Sequence, residues 1–402
     1  MKMLFTLTLL MSCALSHAAP LTGFSTLEPY NEYKILNAKK EVIFKATADT
    51  VKDVALRDGF AVVQTSSANV SLIREDGSVV VDAVYGEEFK ISKKLLAIYN
   101  PDGNGAVYTL DGTRVYPKAS AASRPVTYIL VANNRFAVMD AYTETLTIYD
   151  AAGREIKSFL DISRALISDG YLVLVTSLAS MTLYGDDLNS SITSNSDVSQ
   201  LQISDEFAGY VDTYKTLHLY SRAAGEFPMV NDVMSYSLTN TFAVVHDSSG
   251  LTVYGKDKRN LESPASLQNF AVSHQLFAYI GNTGTLWIRN EETRDSFSVN
   301  RADFYAMSDD LLVVKNGNGQ FEVYSLASAS FGNQVYSALD QTIAEYQVGN
   351  GIVSFQTTLA TSASNSANVF VFGAQLQKST LIDEDRVNKV DLSVNREEWN
   401  WQ

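Results

Sequence analysis

An all-β fold assembled from one small sheet, repeated many times, is predicted by three observations. A Phe-Ala pair or its aliphatic equivalent returns at a nearly constant interval, at Phe60, Leu96, Phe136, Leu172, Phe207, Phe242, Phe277, Leu311 and Ile352. A second apolar position, Ile73, Tyr108, Tyr149, Tyr184, Tyr220, Tyr254 and Tyr324, keeps an almost fixed offset from its anchor. Between them the chain is rich in Val, Ile, Leu, Phe and Tyr, broken by short polar turns, and carries no helical period longer than a few turns. Repetition at this interval marks a ring or stack of supersecondary units.

Each unit reads the same way. A short apolar segment meets a polar break such as Arg57-Asp58-Gly59 or Leu238-Thr239-Asn240, and a β-branched run follows. A second turn then leads to an alternating segment ending near an aromatic, and a third to a variable strand. The pairs Asp76-Gly77, Asp102-Gly103, Asp111-Gly112, Asp169-Gly170 and Asn316-Gly317 are expected to supply left-handed backbone positions. Trp287 follows Phe277 more closely than the usual offset, which predicts a shorter hairpin loop. Phe372 lies much further beyond Ile352, so the ninth unit carries an insertion, accounted for by the Ser/Thr/Ala/Asn-rich stretch 357–366.

Four short strands per unit, with two apolar faces to cover, are best satisfied by a closed ring. The expectation is a single β-propeller of eight or nine small four-stranded blades, occupying 21–402 with repeats over about 50–376. Burial between blades would supply about 25 cal/mol per Å² of apolar area. The alanines at 61, 137, 208, 243 and 278 would allow close strand approach near the ring centre. The segments 32–36 and 41–45 look like outer strands without inner partners, placed to complete the last blade and clasp the ends.

The N-terminus is a separate matter. Met1-Lys2, the apolar run 4–11 and Ser16-His17-Ala18 read as a secretory signal over 1–20, too short for a membrane span. A second reading takes Leu10-Met11-Ser12-Cys13 as resembling a bacterial lipoprotein processing box, with a signal of 1–12 and a lipid on Cys13. Both place the folded part outside the cytoplasm. Cys13 is the only cysteine, so structural disulfides are not expected. The formal net charge of −14 is spread along the chain, which argues against nucleic acid and anionic lipid as partners.

Chemical motifs are sparse. His218, His246 and His274 show no close ligand spacing. The oxygen-rich turns 100–105 and 315–319 lack the ligand set and closing glutamate of a calcium loop. No Gly-x-Ser-x-Gly elbow and no phosphate-cradling glycine loop occurs. Asp58, Asp169, Asp205 and Asp309 recur at equivalent breaks, where a turn role accounts for them. No catalytic residue, cofactor or metal ligand is assigned.

The segments Ala106-Val107-Tyr108-Thr109-Leu110-Asp111-Gly112 and Leu146-Thr147-Ile148-Tyr149-Asp150-Ala151-Ala152-Gly153 resemble the turns of PQQ-like and YVTN-like repeats of the bacterial β-propeller superfamily. That resemblance implies a propeller and, by its non-enzymatic periplasmic members, a protein-binding scaffold. The regular docking tryptophan of quinone-dependent enzymes is absent: only Trp287 lies in a repeat, and Trp399 and Trp401 are terminal. The expected function is an extracytoplasmic scaffold engaging an envelope or extracellular protein. The alternative is a carbohydrate- or peptide-processing hydrolase with carboxylates at the channel mouth.

Overall fold

Polar turns cut this chain into strands too short to be stable alone, so each must find partners within its own sheet and against neighbouring sheets. The computed structural model describes residues 21–392 apart from 27–30, 38, 40, 58, 102, 118–124, 179, 195–197, 263–266, 274, 292, 328–329, 339–342, 350–351, 359–366, 374–379 and 383–386. Side chains are described as far as residue 335 and at 348, other than those of 24, 26, 261–262 and 267–268. Among the described residues, forty strands form ten four-stranded antiparallel sheets. No described helix is long and apolar enough to cross a membrane.

Nine sheets are consecutive and are numbered here as blades 1 to 9: 51–85, 88–116, 126–159, 162–194, 198–226, 233–262, 267–299, 302–338 and 343–382. The anchors begin their second strands, as in Phe207–Asp212 and Phe242–Asp247. The tenth sheet is composite. Thr22–Thr26, Glu32–Leu36 and Val42–Thr47 supply three strands, and the C-terminal strand Val387–Leu392 pairs with Thr22–Thr26. Nine of the sheets are the expected four-stranded repeat units, and the composite sheet is a tenth beside them. The segments 32–36 and 41–45 do not complete the ninth blade but belong to a blade of their own. That blade escapes a periodicity search because its inner strand comes from the far end of the chain.

First strands of successive sheets lie beside one another: Val126–Val131 touches Glu88–Ile91 and Ile162–Ile167, and Ile343–Gly349 touches Val387–Leu392. These strands surround the central channel. Second strands are covered on both faces, so Leu95–Tyr99 is buried throughout, while a fourth strand such as Glu155–Phe159 is largely exposed.

The core sits between blades. One cluster joins Leu146 and Ile148 of blade 3 to Leu172 and Leu174 of blade 4; another joins Leu217 and Leu219 of blade 5 to Ala243 and Val245 of blade 6. Tyr33 and Ile35 of the composite blade pack on Ala61 and Ile73 of blade 1. The anchors Phe136, Phe207, Phe242 and Phe277 are fully buried, each at 0% exposure, and the following alanines are buried with them. Phe60 is only partly buried.

Candidate functional site: one face and the mouth of the channel

Antiparallel order puts all turns between second and third strands on the same face as the crossovers to the next blade. Backbone bonds stitch the two together. The Val233 N–H, opening blade 6, donates to the Lys215 carbonyl in the turn of blade 5, at 3.1 Å, and the Ala302 N–H donates to the Gly284 carbonyl at 2.8 Å. On this face large apolar side chains stand in solvent on consecutive blades. Tyr142 is 81% exposed, Leu178 89% and Tyr214 83%, each in the second-to-third turn of blades 3, 4 and 5. Leu160 and Met229 lie in the adjoining crossovers and Met234 opens blade 6. Turns normally take Gly, Asn, Asp or Ser, so large apolar residues here are not required by the fold.

Inside this rim the channel opens into a cavity of about 800 Å³ lined by the first strands of blades 2 to 6. A recurrent bulge shapes its mouth. Val126 pairs with Asp140 but Tyr128 with Met139, leaving Thr127 as an extra residue. Ser163 and Met234 are extra in the same way, and in blade 5 Gln200 and Leu201 together face the single residue Tyr210. Such bulges turn side chains out of the pleat. Thr127, Ser163, Gln200 and Met234 all line the cavity. Ser163 Oγ donates to the Val175 carbonyl at 2.9 Å, holding its bulge in place.

The lining charges are Glu88, Lys90 and Arg164. Tyr99 Oη donates to Glu88 Oε2 at 2.6 Å, and Tyr236 Oη to the carbonyls of Gly209, at 2.6 Å, and Gln200. Burial, and then Glu88, raises the Tyr99 phenol well above its ordinary value. Burial pushes Tyr128 up to about 12, against an opposing pull from Arg164. Both phenols keep their protons at neutral pH, and that of Tyr99 is donated in its bond to Glu88. Tyr128 Oη is buried and has no hydrogen-bond partner.

The residues weighed from sequence lie elsewhere. His218 stacks on Tyr210 with centroids 4.7 Å apart and places Nε2 3.2 Å from Asp212 Oδ2. His246 meets the Phe270 ring edge-on at 6.4 Å. His274, Asp58, Asp102, Cys13, Trp399 and Trp401 lie outside the described residues. Among the described residues no three His, Cys, Asp or Glu side chains converge as a metal site would require.

Asp169 accepts from the Asn134 N–H and Nδ2 at 2.8 and 2.7 Å, and Asp205 accepts from the Asp169 N–H at 2.8 Å. Asp309 accepts from Ser273 Oγ. These carboxylates join neighbouring blades on the face opposite the apolar rim. In the oxygen-rich turn of blade 8, Asn316 Oδ1 accepts from the N–H groups of Asn318 and Gln320, both at 3.1 Å, which closes the turn itself.

Trp287 is a further departure. Phe277 pairs with Arg289 and Tyr279 with Trp287, so Trp287 is not the docking aromatic of a shortened hairpin, and it is 46% exposed. Tyr128, Arg164 and the rim residues were missed from sequence. Tyr142 and Tyr214 could have been found by asking why a polar turn contains a large ring.

Four-stranded sheets packed face to face about one channel define the β-propeller class. A model described as a 10-bladed beta propeller domain matches residues 182–381. A structure described as that of the eukaryotic initiation factor superposes with a TM-score of 0.51 at 9% identity, covering 95% of this chain and 100% of its own. Hsv2 from Kluyveromyces lactis gives 0.34 at 10% identity over 67% of this chain and 99% of its own. BamB from Moraxella catarrhalis gives 0.31 at 11% identity over 76% and 90%. At such identities the likeness is one of fold. No curated protein sequence matches the chain.

Proposed function

We propose that this propeller is a non-enzymatic scaffold of the bacterial cell envelope that binds another protein through its crossover face. The observation that carries the reading is the row of Tyr142, Leu178 and Tyr214, nearly free of protein contact on three consecutive blades. Aromatic and long aliphatic anchors are the groups that contribute most when an interface dries. Export is supported by the signal-like pattern from Met1 to Ala18, and a lipid on Cys13 would hold the scaffold at a membrane.

The hydrolase alternative draws no support from the cavity. Glu88 is its one carboxylate among the described lining residues, and Tyr99 donates to it, whereas glycoside hydrolysis calls for two facing carboxyls.

The test is capture from envelope extract with wild-type protein, with a Leu178→Glu/Tyr214→Glu variant, and with Asn189→Glu in the third-to-fourth turn on the opposite face. A partner retained by wild type and Asn189→Glu but lost by the double variant is expected. A captured protein indifferent to the double variant, or none at all, overturns the reading.

A further inference from the structure

Three buried tyrosines donate their hydroxyls within the protein. Tyr99 has Glu88, Tyr236 has two backbone carbonyls, and Tyr305 donates to the Ala278 carbonyl at 3.1 Å. Tyr128 is the buried phenol left without a partner among the described residues. A buried hydroxyl without an acceptor is costly, so its retention calls for an explanation. Arg164 supplies the second half of the pattern. It holds the position after the bulge in blade 4 that Tyr128 holds in blade 3, so the two stand on neighbouring first strands. Arg164 forms no ion pair among the described residues, is exposed, and lines the same cavity.

Arg164 can only donate hydrogen bonds, and the protonated Tyr128 phenol has a hydrogen to give. Among the three lining charges, Glu88, Lys90 and Arg164, the two cations outnumber the one carboxylate, and Arg164 brings a positive charge to a chain of net charge −14. The walls beside them are apolar, made by Leu130, Leu166, Val173 and Val175. A pocket with apolar walls and a few convergent donors is the form that binds small molecules. A guanidinium flanked by a phenol favours a planar anion.

We infer that the channel mouth is a binding site for a carboxylate carried on an apolar body, held by Arg164 and Tyr128. The carboxylate belongs either to a free organic acid or to the C-terminus of an apolar peptide. The site stands independently of the protein partner proposed above, because its lining residues lie inside the rim and its test uses no partner.

The experiment is calorimetric titration with octanoate, with octanamide, and with tri-leucine as free acid and as C-terminal amide. Saturable octanoate binding is expected, weakened about tenfold in octanamide and about tenfold by Arg164→Gln. Tyr128→Phe will weaken binding while leaving the free protein at least as stable as wild type, since it removes an unpaired buried hydroxyl. A structural role for Tyr128 would not separate those two readouts. Tri-leucine acid binding more tightly than octanoate assigns the site to a chain terminus, and the reverse order assigns it to a free acid. Equal affinity for acid and amide, or affinity untouched by both substitutions in folded protein, overturns the inference and leaves water as the partner of Tyr128.

Discussion

Gly170 and the Asp205 carbonyl meet across two blades with no room for a side chain: a Cβ on Gly170 would lie 1.8 Å from that oxygen. The contact sits beside the bond from the Asp169 N–H to the Asp205 carboxylate. Replacing Gly170 by Ala will force blades 4 and 5 apart and cost about 1–3 kcal/mol. Urea unfolding checks this, and an unchanged midpoint would show that the blades do not approach there.

The bond itself gives a second expectation. Asp205→Ala leaves the Asp169 N–H without its acceptor and will cost about 1–3 kcal/mol. Asp205→Asn keeps an acceptor oxygen and will recover most of that loss. Equal losses for the two variants would mean that the ladder between blades does not contribute to stability.

The anchors are graded by burial. Phe136→Ala and Phe242→Ala will each lower stability by about 3–5 kcal/mol, because their rings lie fully inside the layers between blades. Phe60→Ala will cost less, since Phe60 is partly exposed. Denaturant midpoints that rank Phe60 with the other two would contradict the assignment of layers.

Acid stability follows from the turn carboxylates. Burial pushes Asp212 up, but the Thr216 N–H, His218 and the Tyr214 N–H outweigh it and hold the carboxyl below its usual range. The Thr109 hydroxyl and the Thr113 N–H hold Asp111 low, and the Asn189 and Ser190 N–H groups hold Asp187 low. Carboxyls with depressed folded pKa values add stability above their unfolded value, about 4, and lose it as pH falls through the folded value. The urea midpoint will therefore hold steady down to about pH 5 and decline below about pH 4. Asp212→Asn will make that decline shallower, and an identical acid limb in the variant would count against the assigned bonds.

Architecture was legible in the chain because its cause is periodic. Burying both faces of every blade demands the same apolar residue at the same place, so Phe136, Phe207, Phe242 and Phe277 announced the layers. The composite blade was only half legible, because pairing between Thr22–Thr26 and Val387–Leu392 leaves no local signature.

Gly170 shows how one dipeptide serves two purposes. Gly77 and Gly112 adopt the expected positive φ, of 82° and 95°, whereas Gly170 is required by close packing. The candidate site was not legible. Tyr128 and Arg164 are ordinary strand residues until the bulges and the ring place them side by side.

The ring depends on the two ends of the chain meeting in one sheet. Ser25 and Lys389 are register partners across that junction, and the sequence offers no cysteine beyond Cys13 to interfere. In protein carrying Ser25→Cys and Lys389→Cys, with Cys13 removed, mild oxidation followed by non-reducing electrophoresis measures the closure directly. A fast-migrating monomer with an intramolecular disulfide is expected. Free thiols or intermolecular dimers alone would contradict the ring.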